Sequence, residues 1–167
     1  ELLDTDGIYY QFRTLASTNA SPGSVGQWSE KVSGMSSVFN KAKNPPMSIH
    51  FCWDSVIDKK EYETWITLAG DVWKLMLTPY SPPGGGSEKY YLRYLLIGLA
   101  PEGKIGVWLE KPDKPNIRLT DKQILIETVS GEKMEMCKGI SRHDFSLGDD
   151  EYVLEFIKDK KYPYGNW

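Results

Sequence analysis

The two histidines and the polar residues near them are the side chains of this sequence that could support catalysis. His143 is followed by Asp144 and preceded by Ser141, residue types that can act as base, orienting carboxylate and nucleophile. Sequence neighbours rarely face one another, however, and Ser141 lacks the strand–turn–helix elbow that exposes a nucleophilic serine. His50 lies in a predicted strand, where a hydrogen-bonded structural histidine is the simpler interpretation. We therefore predict no catalytic site and expect the protein not to be an enzyme.

The cysteines, acidic residues and glycines offer little to a metal ion or a phosphate. Two cysteines and two histidines do not assemble a convincing metal cluster, so no metal or other cofactor is predicted. The run Asp149-Asp150-Glu151 lacks the alternating ligands of a calcium loop and suits the positive end of a helix instead. The glycines at 84–86 precede a predicted strand, whereas a phosphate-binding loop precedes a helix. Cys52 and Cys137 both lie in predicted strands. They form either one disulfide or two free thiols that pack as small buried side chains.

A predicted hairpin over residues 90–109 is the most strongly patterned part of the chain. Apolar side chains alternate in both halves and occupy both faces, which indicates a strand pair that is covered on each side. Pro101 suits an early turn position, and Gly103 tolerates the positive φ of a chain reversal. A buried helix over the first half is disfavoured by its aromatic residues and by Gly98. We expect this hairpin to form the centre of the sheet.

The remaining ordered segments are predicted as alternating strands and as two helices with one apolar stripe each. In chain order they are a strand at 8–15, a hairpin from 47–57 and 61–68, a helix at 71–77, a hairpin from 123–129 and 132–137, and a helix at 149–160 whose buried stripe is Val153, Phe156 and Ile157. Segments 17–46 and 78–88 are predicted to be long loops. We predict a single α+β domain over 1–167, mostly antiparallel β hairpins, with a short middle helix, a C-terminal helix and sandwich-like packing as one option.

Composition excludes some classes of partner. The formal net charge is −3, and without clustered Lys and Arg we predict no nucleic-acid binding. No apolar run approaches the roughly 20 residues that span a bilayer.

The 6 Trp and 10 Tyr suit a protein that buries rings against a partner. The chain begins at Glu1 and shows no signal peptide, so we expect a processed form.

Residues 94–109 resemble the central motif of a bacterial lipoprotein family that was first catalogued as a domain of unknown function. Residues 49–53 and 71–76 are similar to that family in order and spacing, and so are Ser55, Lys60 and Tyr62. The ending, residues 162–167, also looks like the tail of that family. Members of the family are encoded near phospholipase effectors of type VI secretion, and the family includes periplasmic immunity proteins that neutralise such a lipase.

The resemblance implies a binding protein whose partner is a secreted phospholipase effector. It also implies a periplasmic location and, in the full-length form, a lipid anchor in the outer membrane. The lipobox cysteine that would carry the lipid is absent from this chain, which departs from the family pattern. Two alternatives remain open: an envelope structural lipoprotein without a toxin partner, and an unrecognised hydrolase.

Candidate partner-contacting residues are those in Gly/Pro-rich or terminal segments, because a few buried rings carry most of the affinity of a protein interface. They are Trp28, Tyr80, Pro82, Gly84 and Trp167. For each ring, the alternative is ordinary packing beneath a loop.

Overall fold

The computed structural model describes residues 1–17, 26–28, 40–81, 88–111, 115–141 and 143–167. Within these residues the chain forms two antiparallel sheets and two helices, which confirms the α+β prediction. Sheet I has the strand order β2-β1-β3-β4-β8, and sheet II has the order β5-β6-β7. The elements are β1 (Leu2–Asp4), β2 (Tyr9–Tyr10), β3 (Pro46–Ser55), β4 (Lys60–Leu68), α1 (Gly70–Leu77), β5 (Leu95–Ala100), β6 (Lys104–Leu109), β7 (Ile117–Arg118), β8 (Ile124–Ser130) and α2 (Glu151–Ile157).

The β3–β4 hairpin, and not the hairpin over 90–109, forms the centre of the larger sheet. Ile49, Phe51 and Trp53 alternate along β3 and are buried, as their period-two spacing predicts. Across the ladder they face Ile66, Thr64 and Tyr62 of β4, and the Trp53 indole N–H donates to the Thr64 hydroxyl at 2.9 Å. Both edges of this hairpin are paired, so it lies between β1 and β8.

A hairpin does form within 90–109, but its first strand begins at Leu95 and not at Tyr90, and it is part of sheet II. Its strands β5 and β6 pair from Leu95↔Leu109 to Ala100↔Lys104, joined by a turn at Pro101–Gly103. Gly103 has a φ of 70°, as the turn requires. One face of the pair contributes Val107 and Leu109 to the core shared with sheet I. The prediction that this hairpin forms the centre of the sheet was wrong. Both of its faces are apolar because one packs on the core and the other is covered by tryptophans, and such cover does not require a central position.

The predicted hairpin of 123–129 with 132–137 was wrong. Its first half is β8, which pairs with β4 instead. The second half forms a short 3₁₀ turn and further turns, because the backbone N–H groups of Glu135, Met136 and Cys137 donate to the buried Glu63 carboxylate at 2.7, 3.2 and 3.1 Å. Those donors are therefore unavailable to a strand ladder.

The N-terminal strand is also shorter than predicted. Only Tyr9–Tyr10 of the predicted 8–15 pairs, and it pairs with an unpredicted strand, Leu2–Asp4. The fully buried Asp4 carboxylate accepts the backbone N–H groups of Asp6 and Ile8, which turns the chain between the two strands.

Both predicted helices form. Helix α2 covers 151–157 within the predicted 149–160, and its N-cap is Asp150, whose carboxylate accepts the Val153 N–H at 2.8 Å. Its half-buried face is the predicted one, Val153, Phe156 and Ile157. Neither helix in the described part of the chain has the length and apolar character needed to cross a bilayer.

Candidate functional site

Three tryptophans pack together on the face of sheet II that points away from the core. The Trp28 ring lies 5.5 Å from that of Trp108 and 5.8 Å from that of Trp167, both pairs being tilted. We call Trp28, Trp108 and Trp167 the tryptophan cluster. Trp108 is 4% exposed, whereas Trp28 and Trp167 are half-buried and present part of their rings at the surface. Tilted pairs at these centroid distances are favourable aromatic contacts, so the cluster is a defined apolar platform.

A pair of glycines makes room for this platform. Gly98 on β5 and Gly106 on β6 face each other across the ladder, and the Trp108 ring lies over both. A Cβ at Gly98 would lie 2.9 Å from Cζ3 of Trp108 and 2.9 Å from Cζ3 of Trp28. Only a residue without a side chain allows the indoles to rest directly on the strands at these positions.

A cation and two indole N–H groups add polar character to the cluster. The exposed Arg118 places its guanidinium 5.8 Å from the centroid of Trp28 and 5.7 Å from that of Trp108. Across the described residues, the buried Nε1 atoms of Trp28 and Trp167 have no hydrogen-bond partner.

The C-terminal tail is tied to sheet II by a chain of carboxylate hydrogen bonds. The Glu102 carboxylate accepts the Gly165 N–H at 2.5 Å, and the Glu102 N–H donates to Asp58 at 2.6 Å. The Asp58 carboxylate also accepts the Tyr62 hydroxyl at 2.7 Å. Burial, and then this hydrogen bond to Asp58, raises the pKa of Tyr62, so the phenol stays a donor. These bonds place Trp167, two residues beyond Gly165, against the cluster.

The five sequence-predicted contact residues do not form one site. Trp28 and Trp167 come together in the tryptophan cluster. Tyr80 lies elsewhere, in a bridge with Tyr90, and Lys111 Nζ lies 5.5 Å from its ring centroid. Tyr80 also packs against the core, which is the ordinary-packing alternative. Pro82 and Gly84 lie outside the described residues.

Sequence reasoning missed Trp108, Arg118 and the glycine pair as parts of the platform. One signal was available, because Gly98 and Gly106 sit at mirror positions of the hairpin, next to a strand tryptophan. Two glycines paired across a ladder leave a shallow depression that a large ring can fill.

The residues considered for hydrolysis do not assemble into a triad. The Ser141 hydroxyl donates to Asp54 at 2.8 Å, and the Asp144 carboxylate accepts the N–H and hydroxyl of Ser146. Hydrogen bonds donated by the hydroxyl and backbone N–H of Ser146 hold the pKa of Asp144 below its usual value. The His143 ring packs edge-on against Phe145, and no hydrogen bond joins its imidazole to Ser141 or Asp144 in the described structure.

The second cluster of titratable groups lies on the outer face of sheet I. His50 Nε2 is 2.7 Å from the fully buried Glu63 carboxylate, and the His50 ring stacks on Trp65 at 4.3 Å. Beside them Cys52 and Cys137 form a disulfide, which resolves the alternative that the sequence left open. Cys137 lies in a turn and not in a strand.

This cluster is built to hold the fold together. His50, Glu63 and Cys137 place ligand-type atoms within 4.8 Å of one another, which is compatible with a metal site by distance. The Cys137 sulfur is already bonded to Cys52, however, and a metal needs the thiolate. The Glu63 oxygens accept three backbone N–H groups in addition to the contact with His50. These bonds fasten segment 131–137 to sheet I.

Protonation of Glu63 should destabilise the protein in acid. Burial would raise the pKa of Glu63, but hydrogen bonds from Cys137, Glu135, His50 and Met136 outweigh it and hold the pKa below 4.5. A carboxylate whose pKa is lower in the folded state than in the unfolded state stabilises the protein at pH values above its unfolded-state pKa. This stabilisation is lost as the pH falls through the folded-state pKa. We expect the free energy of unfolding, measured by urea denaturation, to decrease as the pH is lowered below about 4.5.

The variant Glu63→Gln tests this assignment. It should lose about 2 kcal/mol at neutral pH, because an amide cannot accept all of these donors, and its acid decline should be shallower than that of the wild type. The exposed Glu127→Gln, on the neighbouring strand β8, is the control and should behave as the wild type. Equal acid slopes for Glu63→Gln and the wild type would contradict the assignment.

Comparison with known proteins places the chain in a family. The family described as Protein of unknown function (DUF2931) matches residues 3–165. No curated protein and no solved structure matches the chain.

Proposed function

Because the chain belongs to the family Protein of unknown function (DUF2931), we propose its role from its own surface and from the resemblance described above: it is an immunity protein that binds and inhibits a phospholipase effector of type VI secretion. It acts in the periplasm, lipid-anchored to the outer membrane in its full-length form. Inhibition requires only that a surface of this protein cover the substrate entrance or the lid of the lipase. No bond is made or broken by its own side chains.

The observation that carries this proposal is the tryptophan cluster on the β5–β6 strand pair, in which the Trp28 and Trp167 rings are partly exposed. Tryptophan and arginine are the residues most enriched among the energetic centres of protein interfaces, and here Arg118 lies over two of the three rings. The cluster also joins two of the segments that resemble the lipoprotein family, since Trp108 belongs to 94–109 and Trp167 to 162–167. Rings already held in place by the fold lose little freedom on binding, which favours affinity.

The proposal is tested by mixing the purified chain with the phospholipase encoded beside its gene. We expect the two proteins to co-elute in gel filtration and hydrolysis of phospholipid vesicles to fall with a one-to-one end point. Trp28→Ala and Trp167→Ala should each weaken binding by about 30-fold, the effect of a central aromatic anchor worth about 2 kcal/mol.

Tyr9→Ala is the matched control. Tyr9 is 56% exposed and lies on the far strand of sheet I, so its removal should leave both binding and inhibition unchanged. Urea unfolding of each variant separates lost contact from lost structure. Unchanged hydrolysis together with separate elution of the two wild-type proteins would refute the proposed function.

A further inference from the structure

Strand β5 has one side of its backbone unpaired by any described strand. In the order β5-β6-β7 it is an edge strand. The hydrogen-bond pattern of the ladder is set just before the strand begins, where the Glu110 N–H donates to the Tyr94 carbonyl at 2.9 Å. Antiparallel ladders alternate, so the residues two, four and six positions beyond Tyr94 exchange hydrogen bonds with β6. The N–H and C=O groups of Leu95, Ile97 and Leu99 therefore point away from the sheet.

Within the described part of the chain, β5 itself carries none of the sequence features that usually block strand addition. Natural edges are protected by lysines, prolines, bulges or short length. The sequence of β5 is Leu-Leu-Ile-Gly-Leu-Ala, its register with β6 is continuous, and Leu99 is 46% exposed. The other described edges differ: β2 and β7 have two residues each, and β8 carries Glu127 and is contacted at Thr128 by the turn at Gly103.

Space and apolar surface lie beside the same edge. The described residues enclose a cavity of about 1780 Å³ next to β5, with apolar lining that includes Leu95, Ile97, Phe51, Phe156 and Ile157. A strand added to β5 would direct alternate side chains into this cavity. Its other side chains would lie toward the tryptophan cluster, since Gly98 of β5 borders the Trp28 ring.

We propose that β5 is the docking edge for an extended, apolar segment of the phospholipase partner, which adds a fourth strand to sheet II. The main-chain groups of Leu95, Ile97 and Leu99 supply the hydrogen bonds, and the cavity and the tryptophan cluster receive alternate side chains. This mode of binding requires an extended backbone, because only a strand presents donors and acceptors at the matching spacing. The inference rests on the proposed function and specifies how the partner is held.

Hydrogen exchange of the wild-type protein is the direct test. Amide exchange is measured residue by residue for the free protein and for its complex with the phospholipase encoded beside its gene. The amides of Leu95, Ile97 and Leu99 should exchange rapidly in the free protein and at least 100-fold more slowly in the complex. Those of Leu96 and Gly98, which bond to β6, should be protected in both states.

Two variants of the edge complete the test. Leu99→Pro removes one outward N–H, and Leu99→Lys adds the charge that natural edges use; each should weaken binding about 10-fold or more. The control is Leu125→Lys on β8, where the replaced side chain is 61% exposed and sheet II is untouched. Leu125→Lys should bind as the wild type does.

The outcomes separate this inference from the proposed function. A complex that inhibits the lipase without protecting the amides of Leu95, Ile97 and Leu99 would overturn the docking edge and leave the immunity function standing. Protection of those amides already in the free protein would also overturn it, because the chain itself would then cover the edge. Failure of the two proteins to associate at all would overturn both.

Discussion

Replacing Cys52 and Cys137 together by serine is expected to lower the free energy of unfolding by about 4 kcal/mol, the largest effect on stability predicted for this chain. The disulfide joins residues 85 apart in sequence, and closing so long a loop restricts the unfolded chain strongly. Urea denaturation of the double variant and the wild type, both without reductant, measures the difference. For a domain with a total stability of about 5–15 kcal/mol this is a large fraction.

Adding a thiol reductant to the wild type is the matched control. It should reproduce most of the loss, whereas the same reductant should leave the double variant unchanged. A loss of less than about 1 kcal/mol in the variant would show that hydrogen bonds to Glu63 alone hold segment 131–137 on sheet I. Binding of the phospholipase should survive in the variant wherever it remains folded, because the disulfide lies on sheet I and the tryptophan cluster on sheet II.

Gly106→Ala is expected to abolish partner binding, with a loss of at least 100-fold in affinity. A Cβ at position 106 would lie 2.7 Å from Cζ3 of Trp108 and closer still to Cη2, so the indole must leave its place on the strand. Trp28 and Arg118 both contact that indole, and the platform would come apart with it. We also expect about 3 kcal/mol of destabilisation, the upper part of the range for overpacking a filled site.

Gly70→Ala is the control for this variant. A Cβ at position 70 would meet only the ring of Trp73, at 3.8 Å, which is ordinary contact. Its stability and binding should match those of the wild type, since alanine is a better helix former than glycine at the start of α1. Tryptophan fluorescence should change strongly for Gly106→Ala, which displaces the Trp108 ring, and only slightly for Gly70→Ala, whose Cβ makes ordinary contact with Trp73. Wild-type affinity in Gly106→Ala would remove the tryptophan cluster from the interface.

Much of the secondary structure could be predicted because its signals are local. Alternating apolar residues identified β3 and β4, and one apolar stripe identified each helix. The turn at Pro101 and Gly103 was also readable, because those two residues have narrow conformational preferences. Each of these signals is complete within about ten residues of chain.

The errors arose where distant residues decide the outcome. Segment 132–137 alternates as a strand would, but the carboxylate of Glu63, more than 70 residues away, takes three of its backbone donors. Glu63 itself gave no warning, since a glutamate in a strand is ordinarily exposed, and only its partners make burial tolerable. The order of strands in the sheets was likewise not encoded in any local pattern.

The sequence by itself determined the α+β class, the hairpins around residues 57 and 102, and the candidacy of Trp28 and Trp167 as aromatic contact residues. Only the tertiary structure decided that these two rings meet Trp108 over a pair of glycines, that Cys52 reaches Cys137, and that β5 lies at an edge. The physical reason is the sequence separation of the interacting residues. The spacing of apolar residues and the preferences of turn residues act between near neighbours. The packing of rings, the closing of a disulfide and the pairing of strands depend instead on which remote surfaces the fold brings together.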